Sequence, residues 1–350
     1  MDFAFSDEQE ALREAARRYL TDRFPIERVT SLADGPTGSD PTTWAELERL
    51  GWLDPDLGFL DHAVLFEESA SALLPAPLFS TLALALPALG SASRPATLAW
   101  ADADGPRTLR SLVDGAASTT TADAAGRLTG HKVLVPDVGT VDTVVVVART
   151  PDGTSGLYTV EASAAVVTVR STEDRTRRLG ELVLDATPAQ LIVGADRASA
   201  VLAETRRRAL AGLACEAVGV AAHALGMATE HARTREQFGR VIGTYQGVSH
   251  QIADSFVALE LSRSLAYWAS WAVAEAEPTA DLASLAAASA AAEASTGVCE
   301  SAIQVHGGVG FTWEHPLHRF YKRAQWIAGF DGGPSSHRAE LAASLFDRVA

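Results

Sequence analysis

Long alanine-rich stretches in the C-terminal part of this 350-residue chain constrain its fold most strongly. Alanine has the highest intrinsic helix propensity, so these stretches predict helices at about 196–234, about 246–276 and about 279–305. Three long helices joined by short connections are typical of a helical bundle. A shorter helical segment is predicted before Asp331, and a terminal helix after it.

Helical patterns also cover the N-terminal part of the chain. Ser6 and Gln9 form a capping-box pattern ahead of apolar residues at helical spacing, which predicts a first helix. Three further helices are predicted from TWAELERLGW, which follows Thr42, from about residue 61 to 74, and from the almost wholly apolar FSTLALALPAL. Together these segments form a predicted N-terminal helical domain, residues 1–93.

Between the helical regions, from about Arg94, helical periodicity gives way to short runs rich in valine and threonine. The runs are LTGHKVLVPDV, DTVVVVART, SGLYTVEA, AVVTVRST and RLGELVLD, separated by turn residues. Several short strands at this spacing are typical of an antiparallel barrel or sandwich. We therefore predict a mainly α protein with a middle antiparallel β-barrel domain, residues 94–195, and a C-terminal helical bundle domain, residues 196–350.

Charge, cysteine content and hydropathy argue against several functional classes. The net charge of −15 at pH 7 argues against nucleic-acid binding, which needs a basic face. Cys215 and Cys299 cannot form a disulfide framework, and no cysteine–histidine cluster has the spacing of a zinc site, so we expect no metal and a reducing cytoplasm. Residues 1–10 are acidic without a basic side chain, and no uncharged apolar run reaches about 18 residues. We therefore expect neither a signal peptide nor a membrane-spanning helix.

The motif RTREQFG, residues 233–239, lies where the first long helix is predicted to end. Its arginines suit the negative end of the helix macrodipole and Gly239 suits a left-handed helix stop, which is a full structural explanation. Alternatively, the Arg235 guanidinium binds a diphosphate, for which its planar fork is suited, and Phe238 packs against a ring.

Two glycine-rich segments follow the third long helix. QVHGGVGF, residues 304–311, lets a ligand or another backbone approach closely, but it is not the G-x-G-x-x-G of a Rossmann domain. A locally basic strip over residues 317–330 either balances the acidic surface or holds a phosphate. Asp331 then precedes Gly332 and Gly333, either as an ordinary turn residue or as a carboxylate placed as a general base.

In this order and spacing, the motifs resemble the acyl-CoA dehydrogenase family over nearly the whole chain. The resemblance rests on the opening FSDEQEALREAARRYL, on WAELERLGWLDPDLG and FEESASALLPAPL, and most strongly on REQFGRVIGTYQGVSHQIAD, QVHGGVGFTWEHPLHRFYKRAQ and FDGG. The distance from Glu314 to Asp331 fits the family spacing between its conserved acid and its catalytic carboxylate. The helical–β–helical order also matches that of the family.

The resemblance implies FAD bound at a contact between subunits. The RTREQFG residues match those that reach the flavin diphosphate and adenine of a neighbouring chain, and the QVHGGVGF loop matches the one that receives the adenosine end. The candidate cofactor-binding residues are Arg235, Gln237, Phe238, Gln246, Gln304, Val305, Gly307, Gly308, Gly333 and Ser335.

The activity that the resemblance implies is α,β-dehydrogenation of an acyl-CoA thioester. Asp331 matches the base that removes the α-proton while the β-hydride goes to the flavin, and an electron-transferring flavoprotein is the implied electron acceptor. An α-proton is too weakly acidic for a carboxylate unless hydrogen bonds hold the thioester oxygen as enolate character develops.

Three features depart from the family pattern. The usual base is glutamate, and aspartate is shorter by about 1.5 Å, where a misplacement of about 1 Å can cost on the order of 10²-fold in rate. Relatives with the base on the preceding helix place it where Ala209 stands here, and Glu216, two turns further along, is not assigned. The segments that contact the isoalloxazine ring and the thioester are unrecognisable in LGSASRPATLAWADADGP and KVLVPDVGT.

Because the adenosine-end features are kept and the ring-end features are lost, we predict an oligomer. It is either a homotetramer or a heterotetramer in which a longer homologue completes the flavin and substrate sites. The alternatives are a catalytically degenerate or non-dehydrogenase member of the fold, and a scaffold that binds no flavin.

Overall fold

The computed structural model describes residues 5–349. Along the sequence, helices come both before and after a β region, as predicted. Residues 1–4 and residue 350 lie outside the described residues. The expectation that residues 1–10 are no signal peptide therefore rests partly on residues that the structure does not describe. The α-helices are α1 (Asp7–Arg23), α2 (Ile26–Asp34), α3 (Thr42–Arg49), α4 (Phe59–Ser71), α5 (Leu86–Leu89), α6 (Leu109–Val113), α7 (Ala195–Thr234), α8 (Gln246–Ala274), α9 (Ala280–His306), α10 (Leu317–Ala328) and α11 (Gly333–Val349). A π-helical segment, Ser80–Ala85, leads into α5.

The helix predictions are confirmed closely. The bounds of α7, α8 and α9 agree with the predicted ones to within two residues. Helix α1 opens with the predicted capping box, in which the Gln9 amide donates to Ser6 Oγ over 3.2 Å and the Ser6 amide donates to Gln9 Oε1 over 3.1 Å. Both are local interactions, which is why sequence spacing predicts them.

The strands form one large sheet and one short hairpin. They are β1 (Ala96–Ala99), β2 (Thr121–Ala122), β3 (Arg127–Pro136), β4 (Thr143–Arg149), β5 (Ser155–Glu161), β6 (Val166–Val169), β7 (Leu179–Pro188), β8 (Gln190–Val193), β9 (Glu236–Gln237) and β10 (Arg240–Val241). Among the described residues the large sheet follows the order β6-β7-β3-β2-β4-β5-β8, with β1 paired to β4 off this path.

The sheet is mixed, and the closed antiparallel barrel of the prediction is not shown. Strands β1 and β2 both pair with β4 in parallel, whereas the remaining pairs of the large sheet are antiparallel. The valine run of β4 is buried on both faces, a pattern typical of a central strand with parallel neighbours. Such a run predicts a strand but not the direction of its partners, because pairing is decided by distant parts of the chain.

The described chain divides into two compact units, interleaved along the sequence. The first comprises the chain up to Val29, Gly58–Leu74 and the chain from Leu210 onward, and the second comprises Thr30–Leu57 and Pro75–Ala209. One of the boundaries between the units, Ala209/Leu210, therefore falls within α7. The division into domains 1–93, 94–195 and 196–350 stays a prediction.

In the first unit, α8 packs along α9, α10 and α11 pack on α9, and α1 packs on α4. The buried side chains of α9 are mostly alanine and serine, which lets neighbouring helices approach closely. At Gly219 in α7, an added Cβ would lie 2.1 Å from the Glu67 carbonyl oxygen of α4. The backbones of α4 and α7 therefore touch at this point, and only glycine fits there.

The second unit has an apolar core between its strands and a buried ion pair beside it. The core includes Leu128, Val144 and Leu182, all fully buried. Lys132 on β3 places its Nζ 2.7 Å from Asp102 Oδ1, and both side chains are 0% exposed.

Two helical stretches among the described residues are long and apolar enough to cross a membrane by length and composition, namely Ala195–Thr234 and Ala280–Phe311. Their most apolar windows are 78% and 61% buried inside the structure, respectively. Mostly buried core helices also meet this criterion of length and composition.

Candidate functional site

The RTREQFG motif forms the end of α7 and a tight hairpin. Strands β9 and β10 pair antiparallel, with Gln237 opposite Arg240, so Phe238 and Gly239 are the two loop residues. Both have positive φ, 54° and 78°, as a two-residue hairpin turn of type I′ requires. Gly239 therefore forms part of the hairpin turn and does not end helix α7, although its position in the sequence suggested that it would. The Phe238 ring is 93% exposed.

The hairpin is held by Tyr245, the residue before α8. Its hydroxyl donates to the Gln237 carbonyl oxygen over 3.0 Å, and the Arg240 guanidinium carbon lies 4.0 Å from its ring centroid. Gln246, the first residue of α8, is exposed directly after this anchor. Gln237 and Gln246 are therefore close to the hairpin, and Arg235 leads into it.

The QVHGGVGF motif forms the end of α9 and a 3₁₀ turn, Gly307–Phe311. Gly307 has φ 64°, and an added Cβ at Gly307 or Gly308 would meet no heavy atom within 4 Å in the described chain. Gln304 is exposed, whereas Val305 is buried. The backbone of both glycines is therefore open to an approaching group.

The structure brings these two motifs together through histidine rings. His231, in the last turn of α7, stacks on His306, the last residue of α9, with ring centroids 4.3 Å apart. His231 lies one helical turn before Arg235, and His306 directly precedes Gly307. The candidate diphosphate contact and the candidate adenosine loop, far apart in sequence, are therefore neighbours in the first unit.

A groove of about 830 Å³ runs between α8 and α9 and includes Gln304 in its lining. Its other polar walls include Asp254, Glu293 and Glu300. Sequence reasoning missed this groove, because it forms only where α8 and α9 lie side by side.

Asp331 lies in a separate turn between α10 and α11. It is 7% exposed and has φ 49° and ψ 39°, a left-handed conformation that is uncommon for residues other than glycine. The carbonyl oxygen of Asp331 lies 3.2 Å from Nε2 of the buried His337. Gly333, with φ 73°, is equally constrained, because an added Cβ would lie 2.6 Å from the Ala328 carbonyl oxygen. Ser335 is exposed in the first turn of α11.

Glu216, the other carboxylate considered as a base, is engaged elsewhere. It is 1% exposed and lies 3.8 Å from the Arg323 guanidinium, which is equally buried. A buried carboxylate with a cationic partner is a structural group first, so Asp331 remains the better candidate.

Comparison with known proteins decides the family. The family model for the acyl-CoA dehydrogenase C-terminal domain matches residues 194–346. Acyl-CoA dehydrogenase IpdE2 of Mycobacterium tuberculosis is 31% identical over 340 residues, which cover 92% of this chain and 92% of the relative. The chain belongs to the acyl-CoA dehydrogenase family.

Solved structures share the fold over nearly the whole length of this chain. A variant of the Tcur3481–Tcur3483 steroid ACAD has a TM-score of 0.84 and 29% identity, with 98% of this chain and 99% of that chain covered. The ChsE4–ChsE5 complex from Mycobacterium tuberculosis has a TM-score of 0.85 and 25% identity, with 99% of each chain covered. Members of this family are flavoprotein oxidoreductases that act on CH–CH groups.

The residues of this acyl-CoA dehydrogenase at the two motifs fit one end of a flavin dinucleotide. Arg235 is exposed and offers a guanidinium fork to a diphosphate. The unobstructed glycines allow close approach of a nucleotide, and the exposed Phe238 ring offers a stacking face. Arg235, Phe238, Gly307 and Gly308 are all exposed in the described chain, so a ligand here would still have an open side.

Proposed function

We propose that this chain is a subunit of a FAD-dependent acyl-CoA dehydrogenase, in which a longer homologue completes the flavin and substrate sites. The observation that carries the proposal is the half-site at the ends of α7 and α9. Arg235, Phe238 and Gly307 are open to solvent there, although they match the family's cofactor motifs. The 93% exposure of the apolar Phe238 side chain is explained if another chain or a shared cofactor covers it in the assembly.

In this proposal Arg235 holds the flavin diphosphate by charge-assisted hydrogen bonds, which are roughly twice as strong as neutral ones. Gly307 and Gly308 allow the backbone after α9 to lie against the adenosine end. Gln237, Gln246 and Gln304 present amides around this position. When bound, FAD supplies the acceptor for the β-hydride.

Asp331 is proposed as the base for the α-proton, which one of its carboxylate oxygens accepts. Its turn is rigid, because Asp331 and Gly333 have positive φ and the Asp331 carbonyl is held by His337. A fixed base suits proton transfer, which needs donor and acceptor within hydrogen-bond reach. The electrons then pass to an electron-transferring flavoprotein.

Assembly with a second acyl-CoA dehydrogenase subunit is supported by two of the similar structures. Both carry two-component names, Tcur3481–Tcur3483 and ChsE4–ChsE5, and each match covers at least 98% of this chain. Helix α8 also exposes Phe256, Val257 and Leu261 beside the groove it forms with α9, an apolar surface that suits a subunit contact. The name of the Tcur3481–Tcur3483 enzyme supports a steroid-derived acyl group as the substrate class.

A second candidate function is a partner subunit that has lost the base and only completes the flavin site of its homologue. The short side chain of Asp331 favours this second function, because its carboxylate reaches about 1.5 Å less far toward the α-proton than that of a glutamate would. In that case the base belongs to the longer chain.

The test is to purify the chain alone and after co-expression with a longer acyl-CoA dehydrogenase homologue from the same organism. We expect the lone chain to be poor in flavin, and the co-expressed complex to be yellow with fewer FAD molecules than chains. An acyl-CoA with a steroid-derived side chain should bleach the flavin of the complex. A lone homotetramer with one FAD per chain that dehydrogenates an acyl-CoA would overturn the heteromer, and a complex without flavin would overturn the enzyme.

A further inference from the structure

Three histidines from separate parts of the chain form a continuous column at the candidate nucleotide site. The rings of His231 and His306 stack with centroids 4.3 Å apart and an interplanar angle of 21°. The ring of His315, from the turn before α10, lies 4.6 Å from that of His306 at 55°. We call this set the histidine column.

The column is not a metal site. The stacked rings of His231 and His306 direct their nitrogen lone pairs into separate planes, so these two side chains cannot converge on one ion. The residues that the structure describes contain no group of three histidine, cysteine, aspartate or glutamate side chains able to hold a metal.

Hydrogen bonds set the neutral form of two members. His306 Nδ1 lies 2.8 Å from the Ala302 carbonyl oxygen, which accepts only from a protonated nitrogen, so Nδ1 carries the proton. The Leu317 amide donates to His315 Nδ1 over 3.4 Å, so His315 carries its proton on Nε2. Nδ1 is therefore a donor in His306 and an acceptor in His315.

The column positions both halves of the candidate site. The Arg235 amide donates to the His231 carbonyl oxygen over 2.9 Å, which ties the arginine to the α7 turn that carries the first ring. His306 directly precedes Gly307, whose φ of 64° redirects the chain after α9. Stacking of His231 on His306 therefore holds the Arg235 turn against the glycine loop.

The charges around the column oppose its protonation. Burial lowers the pKa of His231, and the neighbouring His306 and Arg235 lower it further. Burial also lowers the pKa of His315, together with His306 and His231. Within the part of the chain that the structure describes, the charged groups that act on His231 are therefore His306 and Arg235, and those that act on His315 are His306 and His231.

We propose that the histidine column is a proton-linked positioning element of the nucleotide site, and that it takes up a proton when a diphosphate binds at Arg235. The inference rests on the proposed function. A diphosphate neutralises the Arg235 charge that disfavours protonation of His231 and adds negative charge beside it. Both effects favour the imidazolium, so binding and protonation support each other.

The experiment is calorimetric titration of FAD into the flavin-free protein at pH 6.5, alone or as the co-expressed complex, in MES and in Bis-Tris. Because the two buffers differ in ionisation enthalpy, the difference in heat gives the protons taken up per FAD. We expect about half a proton, which corresponds to an affinity about threefold tighter for each unit of pH decrease near pH 6.5.

The variant His231→Phe keeps an aromatic ring in the column and removes the imidazole on which the diphosphate charge acts. It should bind FAD with a smaller proton uptake, whereas His131→Phe, on a half-exposed histidine of β3, should retain the full uptake. Should a variant fail to fold, NMR titration of the imidazole Cε1–H signals of the wild-type protein, with and without FAD, measures the same linkage as a rise in pKa.

Three outcomes are informative. Buffer-dependent heat that His231→Phe reduces supports the column. FAD binding with equal heats in both buffers, or unchanged uptake in His231→Phe, overturns it while leaving the proposed function intact. No FAD binding by the lone chain or the complex overturns the proposed function, and the column's role falls with it.

Discussion

Lys132→Met should destabilise the β region strongly, because Lys132 is one half of a fully buried ion pair. Its Nζ donates to Asp102 Oδ1 over 2.7 Å, to Ser118 Oγ over 3.0 Å and to the Trp100 carbonyl oxygen over 3.3 Å. Burial lowers the pKa of Lys132 to about 8, although the Asp102 charge acts in the opposite direction. The ammonium therefore persists at neutral pH because Asp102 lies beside it.

The magnitude follows from what each substitution leaves behind. Removing one member of a buried pair costs about 3–5 kcal/mol. Without Lys132, Asp102 still accepts from the Ser118 hydroxyl, the Thr119 amide and both the amide and the hydroxyl of Thr120, at 2.8–3.3 Å. We therefore expect about 3 kcal/mol for Lys132→Met and about 5 kcal/mol for Asp102→Asn, which leaves the ammonium beside neutral oxygens.

The two variants should also differ in pH dependence. The pKa of Lys132 is about 8 in the folded state and that of an unperturbed lysine is about 10.4. Between these values the folded state binds fewer protons than the unfolded state, so its stability rises with pH. Asp102→Asn removes the charge that raises the pKa, which extends this rise to lower pH, whereas Lys132→Met abolishes it.

Urea unfolding followed by circular dichroism at pH 7 and pH 9 measures these quantities. The control is Lys322→Met, at the only other lysine of the chain, whose Nζ lies 4.5 Å from the Trp313 ring centroid. Loss of this cation–π contact should cost about 0.5–1 kcal/mol. The reasoning is refuted if each single variant lowers the free energy of unfolding by less than about 1 kcal/mol. It is also refuted if the loss in the double variant equals the sum of the losses in Lys132→Met and Asp102→Asn to within about 0.5 kcal/mol.

Two further predictions concern the candidate site. Arg235→Ala should lower the FAD content per chain after gel filtration without unfolding the protein, since an exposed arginine contributes about 0–1 kcal/mol to stability; unchanged occupancy would remove Arg235 from the site. Asp331→Asn should abolish flavin bleaching by substrate in stopped-flow measurements while FAD stays bound, and Asp331→Glu should raise the rate by restoring reach. Normal turnover of the Asn variant would place the base on another chain.

Local patterns in the sequence determined the helical architecture and the family. The alanine-rich stretches predicted α7, α8 and α9 to within two residues, because helix hydrogen bonds join residues only four apart. The capping box before α1 was predictable for the same reason. The order and spacing of RTREQFG, QVHGGVGF and FDGG sufficed for the acyl-CoA dehydrogenase resemblance, which the comparisons confirm.

Tertiary structure alone decided how distant segments meet. The parallel pairing of β1 with β4 joins Ala96 to Thr143, and a run of valines carries no record of its partner. The histidine column joins residues 231, 306 and 315, each of which reads as an ordinary polar residue in its own segment. Likewise, the pairing of Lys132 with Asp102 follows from burial, because an unpaired ammonium in the protein interior would be too costly. Contacts of this kind depend on packing across the chain, so no local pattern predicts them.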